Sequence, residues 1–434
     1  MMAQRTTPKK SSPQRGSEFV GTLCELDITN VAHGGVCVAR HEGRVIFVAD
    51  TIPGERVLAR ITDASQKSFW RADTLEVLEA SDHRQEHIWS AASVERDPAQ
   101  RAGGAEFGHI NLAFQRELKA FVLKDSLSRM AKLDTDVVVE ALPGDDESRG
   151  TQWRTRVRLH VDAEGKVGPY AARSHNVIEV ENLPLAASRI TELAPFGQRV
   201  QGIDFIDLVG PSGDSARAIA GNLDTAKNKK RPAAEPVTEI VGTRSFQVDV
   251  RGFWQVHRHA AATLSDAVSS MIDEALFDPR AANLDLYGGV GLLAAAVGDR
   301  FGSTTRIISV ESDEMATEYA LENLVDWVGA RAVTARVDRY LQSVLQDLNA
   351  IEKARFEAAT IVLDPPRAGA GKDVVNSIAE LSPAQLVYVA CDPVALARDV
   401  ALLAERGYQL QQLRSFDLFP NTHHVEAVAR FIRF

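Results

Sequence analysis

From residue 251 to the C-terminus, short apolar segments alternate regularly with amphipathic segments. Each apolar segment is typical of a buried strand, and each segment that follows has helical periodicity. Parallel strands need crossover connections, so strands that alternate with helices indicate a parallel sheet covered on both faces. We therefore predict the α/β class, with a doubly wound, Rossmann-like sheet over residues 251–434. The predicted strands lie in NLDLYGGVG, RIISVE, ATIVLDPP and LVYVACDP.

Two further apolar segments close the chain, YQLQQLRSF and VEAVARFIRF, and no helical pattern separates them. Strands joined by a short loop pair antiparallel. We predict that these two strands form an antiparallel edge on the parallel sheet.

The N-terminal region has a different pattern. Residues 1–17 contain four basic and no acidic side chains, which predicts a disordered basic arm. Over residues 18–80, short β-branched runs alternate with glycine turns, a pattern typical of a small, closed OB-like β-barrel. Basic and aromatic side chains on such a barrel suit single-stranded nucleic acid, and the candidates are Arg40, Arg44 and Trp70. The alternative is that Trp70 belongs to the core and that the arginines only solubilise the barrel.

For residues 81–250 we predict a central α+β domain that binds RNA. Helical periodicity covers residues 110–130, and the segment 153–162 alternates like a strand. Alternate residues of a strand face the same way, so Arg154, Arg156 and Arg158 are candidates for phosphate contacts. The basic loop 227–231 is a second candidate, although such loops are more often simply solvated.

Composition limits the function classes. The chain has 434 residues, 59 acidic and 49 basic side chains and a formal net charge of −10, so any RNA must be held by local basic patches. No apolar run is long enough to cross a membrane. Three widely spaced cysteines give no disulfide framework and indicate a reducing cytoplasm. We expect a monomer without a metal.

Carboxylates and glycines stand where the predicted strands end, which is where ligands bind in open parallel sheets. Gly289 lets the backbone approach a ligand, and Glu311 ends the next strand, where it suits a ribose diol. A dinucleotide site and an S-adenosylmethionine site both place an acid there. A dinucleotide motif has a third glycine where this chain has Ala294, and this difference favours an S-adenosylmethionine site. Asp338 suits the adenine side of the cofactor, or alternatively caps a helix over residues 339–348.

Cys391 follows an apolar strand and precedes a predicted helix. We expect the helix dipole to lower the pKa of its thiol. Glu426 is a polar residue in an otherwise apolar strand. Together they supply a nucleophile and a base: a thiolate that adds to C6 of uracil makes C5 nucleophilic, and the base then removes the C5 proton.

Five motifs, GFWQVH, DLYGGVG, VLDPPRAG, YVACDP and DLFPNTHHVEAV, together resemble the bacterial RNA uridine-5 methyltransferases, and the barrel resembles their TRAM domain. The resemblance extends over most of residues 19–434. It implies methyl transfer from S-adenosylmethionine to C5 of a uridine in rRNA or tRNA, with extrusion of the base from the RNA. Cys391 matches the family's nucleophile and Glu426 its proton acceptor. The cofactor contacts that it implies are Gln255, Tyr287, Glu311, Asp338 and Asp364.

The chain also departs from the family pattern. The differing positions near the site are Gly288, Leu292, Asp392 and His257. Of these, Leu292 puts a contact to the cofactor carboxylate in doubt, and an ionised Asp392 would raise the pKa of the neighbouring thiol. Ala102 and Ala105 occupy ligand positions of the iron–sulfur cluster of some members, so we predict no cluster.

Three rival functions are compared with this one from the sequence. A cytosine-5 methyltransferase also uses a cysteine, but it needs an acid at N3 of the base, and no cysteine stands near Asp364 to supply one. Methylation of an amino group is disfavoured because Arg367 replaces the aromatic residue that stacks on the base. A catalytically weak RNA-binding factor would keep the same fold.

Overall fold

A computed structural model describes residues 16–223 and 233–433. The basic arm before residue 16 and the basic loop 227–231 therefore lie outside the described residues. The elements of the N-terminal unit are five strands, β1 (Leu23–Val31), β2 (Cys37–His41), β3 (Arg44–Ala49), β4 (Arg56–Asp63) and β5 (Phe69–Glu79).

These strands form the predicted closed barrel, in the order β1-β2-β3-β5-β4. The barrel closes because alternate side chains point inward: along β1, Cys24, Leu26 and Ile28 are buried while their neighbours are exposed. Trp70 on β5 is only 8% exposed and packs in the same core.

The central region contains the predicted helix, α1 (Leu112–Ser126), which is capped by the Asn111 side chain and continues as a π-helical turn over Leu127–Ala131. A four-stranded antiparallel sheet follows, in the order β10-β9-β7-β8. The elements of this region are β6 (Val139–Glu140), β7 (Arg156–Val161), β8 (Val167–Gly168), α2 (Ser188–Thr191), β9 (Phe205–Val209), β10 (Arg217–Gly221), β11 (Pro236–Val241) and β12 (Arg244–Asp249).

The structure does not keep residues 81–250 together as one unit. Leu123 and Leu127 pack in the core of the C-terminal sheet, and β6 pairs with a strand of that sheet. The β11–β12 hairpin places Phe246 and Val248 in the same C-terminal unit. Among the described residues, the β7–β10 sheet has its own apolar core, and Val209, Val237 and Val250 form a further small cluster. Apolar side chains from this one stretch of sequence pack in different cores, so a single pair of sequence bounds does not describe a domain here.

The C-terminal unit is an eight-stranded sheet in the order β15-β14-β13-β16-β17-β19-β18-β6. Its strands are β13 (Asn283–Leu286), β14 (Ile307–Glu311), β15 (Ala330–Thr334), β16 (Thr360–Leu363), β17 (Gln385–Ala390), β18 (Tyr408–Phe416) and β19 (Glu426–Arg433). Its helices are α3 (Ala260–Met271), α4 (Leu292–Phe301), α5 (Glu314–Asn323), α6 (Val337–Gln346), α7 (Ala350–Glu357), α8 (Gly371–Leu381) and α9 (Pro393–Glu405).

The sheet confirms the predicted doubly wound topology, with five parallel strands from β13 to β17. The strand order reverses between β13 and β16, which opens a crevice at their carboxyl ends. The last two strands pair antiparallel as predicted, but β19 inserts next to β17, and β6 covers β18. No helix in the described residues is long and apolar enough to cross a membrane.

Candidate active site

A cleft of about 1190 Å³ lies at the carboxyl ends of the parallel strands. Its lining includes every residue that the sequence analysis assigned to cofactor binding or catalysis: Gln255, Tyr287, Gly289, Glu311, Asp338, Asp364, Cys391 and Glu426. The tertiary structure therefore brings residues from a span of more than 170 positions to one crevice.

The loop after β13 is shaped by positive φ angles of 63° at Tyr287 and 53° at Gly289. It is held by Glu311, whose Oε2 accepts a hydrogen bond from the Gly289 amide at 3.2 Å. The other oxygen of Glu311 accepts from the amides of Ser312 and Asp313. Ser312 Oγ donates to the same oxygen at 3.0 Å, so these four donors already fill the roughly four acceptor sites of the carboxylate, and a ligand hydroxyl would take the place of one of them.

Asp285 packs beneath the loop after β13 and was assigned no role from the sequence. It is fully buried on β13, and it accepts hydrogen bonds from Ser309 Oγ and from the Ala294 amide, both at 3.2 Å. Burial raises the pKa of its carboxyl to about 7. The sequence feature that could have identified Asp285 is an acidic residue inside the otherwise apolar strand NLDL.

The same contacts explain the glycine at position 288. A Cβ there would lie 1.9 Å from Ser309 Oγ and 2.6 Å from Asp285 Oδ2. A side chain at this position is thus incompatible with the serine and the aspartate beneath it.

Asp338 lies in the first turn of α6, which begins at Val337 after Arg336. The alternative role of Asp338 as a helix N-cap is therefore wrong. Its carboxylate instead pairs with Arg336 at 3.0 Å, and this hydrogen bond lowers the pKa of the carboxyl although burial opposes the shift.

Asp364 follows β16 and faces the cleft without a side-chain hydrogen bond or ion pair to any described residue. Burial, and then the neighbouring Asp285, raise the pKa of its carboxyl to about 7. A cationic ligand in the cleft would offset this unfavourable environment. The sulfonium and ammonium charges of S-adenosylmethionine fit that requirement.

Cys391 and Glu426 are neighbours because of the strand register. Ala390, the last residue of β17, pairs with Ala427 of the antiparallel strand β19. Cys391 directly follows β17, and this register therefore places it opposite Glu426, the first residue of β19. Glu426 is 4% exposed, and burial followed by the proximity of Asp364 raises the pKa of its carboxyl well above the usual range.

The expectation of a low thiol pKa is wrong. Burial, then Glu426 and Asp364, raise the pKa of Cys391 to about 12, and Arg367 only partly opposes them. Asp392, which was expected to act on the thiol, directs one carboxylate oxygen to the Val394 and Ala395 amides as the N-cap of α9. The cost of burying a thiolate beside two carboxyl groups exceeds the helix-dipole effect.

The arginines predicted to bind RNA have different surroundings. Arg40 is exposed, and the Arg44 guanidinium lies 4.1 Å from the centre of the Trp70 ring. Arg154 lines the cleft. The burial of Trp70 agrees with its alternative role in the barrel core.

The other two arginines of the β7 face are engaged within the protein. Arg156 donates to the carbonyl oxygens of Val250 and Gly252, and it pairs with Glu239 at 3.5 Å. Arg158 forms a bidentate pair with Asp207, with both distances 2.7 Å. The face therefore does not present three unpaired guanidinium groups.

Ala102 and Ala105 are buried in the apolar core of the β7–β10 sheet. In the described residues, no group of three or more His, Cys, Asp or Glu side chains is arranged to hold a metal ion.

Comparison with known proteins identifies the domains. The family model described as tRNA (uracil-5-)-methyltransferase matches residues 264–433, and the TRAM domain model matches residues 18–69. A solved structure with a similar fold is the tRNA (uracil-54, C5)-methyltransferase of Pyrococcus abyssi in complex with S-adenosyl-L-homocysteine. It has a TM-score of 0.67 and 20% identity, covering 96% of this chain and 100% of that chain.

Relatives match over nearly the full length. A protein of Streptomyces avermitilis named as an uncharacterized RNA methyltransferase is 37% identical over 94% of this chain and 98% of its own. A protein of the same description from Streptomyces coelicolor is 35% identical over 97% of each chain. The chain therefore belongs to the tRNA (uracil-5-)-methyltransferase family of S-adenosylmethionine-dependent RNA methyltransferases, with an N-terminal TRAM domain.

Proposed function

We propose that this protein methylates C5 of a uridine in structured RNA, rRNA or tRNA, through a covalent adduct between Cys391 and C6 of the base. The observation that carries the proposal is the register of β17 and β19, which sets Cys391 opposite Glu426 in one wall of the cleft. A thiol and a carboxyl side by side are the two groups that the reaction needs.

The residues act in sequence on the two carbon atoms of the uracil double bond. Cys391 Sγ, as thiolate, adds to C6, and the electrons of the C5–C6 double bond move toward C5 and the O4 enolate. S-adenosylmethionine, when bound, would supply an electrophilic methyl carbon, whose bond to sulfur breaks to leave S-adenosylhomocysteine. After C5 has been methylated, Glu426 accepts the C5 proton, the double bond re-forms, and the Cys391 thiolate leaves.

The surroundings of Cys391 and Glu426 determine how readily each side chain loses its proton. Burial raises the pKa values of Cys391 and Glu426, and neighbouring carboxyls add to both shifts: Glu426 and Asp364 act on Cys391, and Asp364 acts on Glu426. Arg367, beside Cys391, is the cation that favours the thiolate. Formation of the adduct removes the thiolate charge, which makes an ionised Glu426 more favourable when the C5 proton must leave.

The first test is methyl transfer from labelled S-adenosylmethionine to tRNA and rRNA that lack 5-methyluridine. Cys391→Ala should lower the rate by roughly a thousandfold or more, because the nucleophile is lost. Cys24→Ala, in the barrel core, is the matched control and should retain the rate. Equal rates in wild type and Cys391→Ala would overturn the adduct mechanism. Nucleoside mass spectrometry should find 5-methyluridine, and finding 5-methylcytidine instead would establish the rival function.

The second test isolates the base. Glu426→Gln keeps the shape of the side chain but cannot accept the C5 proton, so methylated RNA should remain attached to Cys391. We expect a denaturant-resistant protein–RNA complex on gels for this variant, and none for Cys391→Ala/Glu426→Gln. An inactive Glu426→Gln protein that never forms this complex would exclude Glu426 as the base.

A further inference from the structure

The loop between β1 and β2 of the barrel reaches the catalytic cysteine. Residues 31–35 form one wall of a second cavity, of about 120 Å³, beside the large cleft. Cys391, Arg367 and His424 line both spaces. The barrel thus contributes directly to the surroundings of the nucleophile, although it is more than 350 residues away in the chain.

One hydrogen bond joins the two units at this point. His33 Nε2 lies 2.8 Å from Asp392 Oδ2, while Asp392 Oδ1 accepts from the amides of Val394 and Ala395. The carboxylate next to Cys391 is therefore shared between the helix that follows the nucleophile and the barrel. The hydrogen bond to Asp392 raises the pKa of His33, so the protonated imidazolium is favoured in this pair.

A second contact seats the same loop against the segment that leads to Glu426. Gly35 has a φ angle of +76°, and a Cβ at this position would lie 2.4 Å from the Cβ of His423. Its neighbour Gly34 has a φ angle of +85° but has no atom within 4 Å of the corresponding position. The loop therefore contacts both chain segments that carry the catalytic groups.

We infer that the β1–β2 loop of the barrel is part of the catalytic site, with His33 as a positioning residue that holds Asp392 and thereby the Cys391 backbone. The inference rests on the proposed function for its kinetic consequence, but the contact can be tested without activity. It assigns the TRAM domain a role in turnover in addition to RNA binding.

The kinetic experiment compares His33→Ala, His33→Gln and His41→Ala in methyl transfer to RNA lacking 5-methyluridine. His33→Ala should lower kcat by about fivefold, the effect expected of a half-exposed ion pair, with KM changed less than twofold. Gln should restore kcat because its Nε2 can donate to Asp392, and His41→Ala, on β2 but outside the cavity, should match wild type. A change in KM alone, or an inactive His33→Gln, overturns the inference.

Hydrogen exchange provides a readout that does not require activity. In His33→Ala the amides of Val394 and Ala395 should exchange several-fold faster, because Asp392 is no longer held from the barrel side, and His33→Gln should protect them. Unchanged exchange in His33→Ala overturns the inference. Absence of methyl transfer by wild type would instead count against the proposed function.

A glycine pair tests the seating of the loop. Gly34→Ala and Gly35→Ala carry the same cost of a positive φ angle, but only the second pushes against His423. Gly35→Ala should lower kcat several-fold more than Gly34→Ala does. Equal kcat values for the two variants would show that the loop does not need to lie against the catalytic segment.

Discussion

At the scale of single residues, the site is dominated by the cost of placing negative charge in a confined space. Asp364, Cys391 and Glu426 line one cleft, and each has a raised pKa. Asp285, beneath the glycine loop, adds a fourth acidic group. Each group is therefore sensitive to a ligand that brings positive charge, and the reactivity of Cys391 in the free protein should be low.

Alkylation of Cys391 by iodoacetamide should reveal this environment. Only the thiolate reacts, and with a pKa of about 12 its fraction should rise about tenfold per pH unit from pH 7 to pH 10. Glu426→Gln removes one neighbouring acidic group and should raise the rate at the pH values where Glu426 is ionised. The rate is measured by mass spectrometry of the peptide that contains Cys391. A plateau below pH 9 would show that the thiol pKa is not raised.

At the scale of elements, α1 is tied to the loop before β19. Lys119 on α1 is buried and pairs with Asp417 at 2.5 Å, and it also donates to the Phe419 carbonyl. Gln115, one turn earlier, donates to Asn421 Oδ1 and accepts from the Asn421 amide. A helix from the central region thus fixes the loop that leads into Glu426.

Lys119→Met should destabilise the protein by about 3–5 kcal/mol, because it leaves the Asp417 carboxylate buried without its cation. Lys119→Met/Asp417→Asn should recover part of this loss, since the charge is removed together with its partner. Chemical denaturation of the two variants measures the difference. If the double variant is no more stable than the single one, the loss does not arise from the unpaired charge.

At the scale of the whole molecule, buried histidines link stability to pH. Burial lowers the pKa of His87 to about 4 and that of His424 to about 3, whereas histidine in an unfolded chain titrates near 6.5. Below pH 6.5 the unfolded chain therefore binds protons that the folded protein does not. Stability from these groups is complete above pH 6.5 and is lost as the pH falls toward 4.

The carboxyls of Asp285 and Asp364, with raised pKa values, act in the opposite sense between pH 7 and pH 5, so the histidine effect is measured against a matched variant. His87→Asn removes one of the responsible groups, so its melting temperature relative to that of wild type should rise as the pH falls from 7 to 5, by calorimetry on the full chain. A difference between the two melting temperatures that stays constant from pH 7 to pH 5 would contradict the assignment.

Local patterns were sufficient for much of the fold and for the cleft. The strand–helix alternation predicted the parallel sheet, and the polar residues at strand ends predicted the cleft lining, because strand ends meet at one edge of such a sheet. Asp285 escaped this reasoning, since its role depends on Ser309 beneath the loop. The thiol pKa was misjudged because it depends on Glu426 and Asp364, which only the folded chain brings near.

Hydrophobic periodicity and strand-end chemistry are local properties of a chain, so the classes of the elements, the closed barrel, the doubly wound sheet and the candidates for nucleophile and base could be predicted from the sequence. The fold was needed to show that the region after the barrel contributes to several apolar cores, that Arg156 and Arg158 pair with carboxylates, and that His33 reaches Asp392. These outcomes depend on which surfaces pack together and which charges become neighbours, and both follow from contacts between residues far apart in the chain.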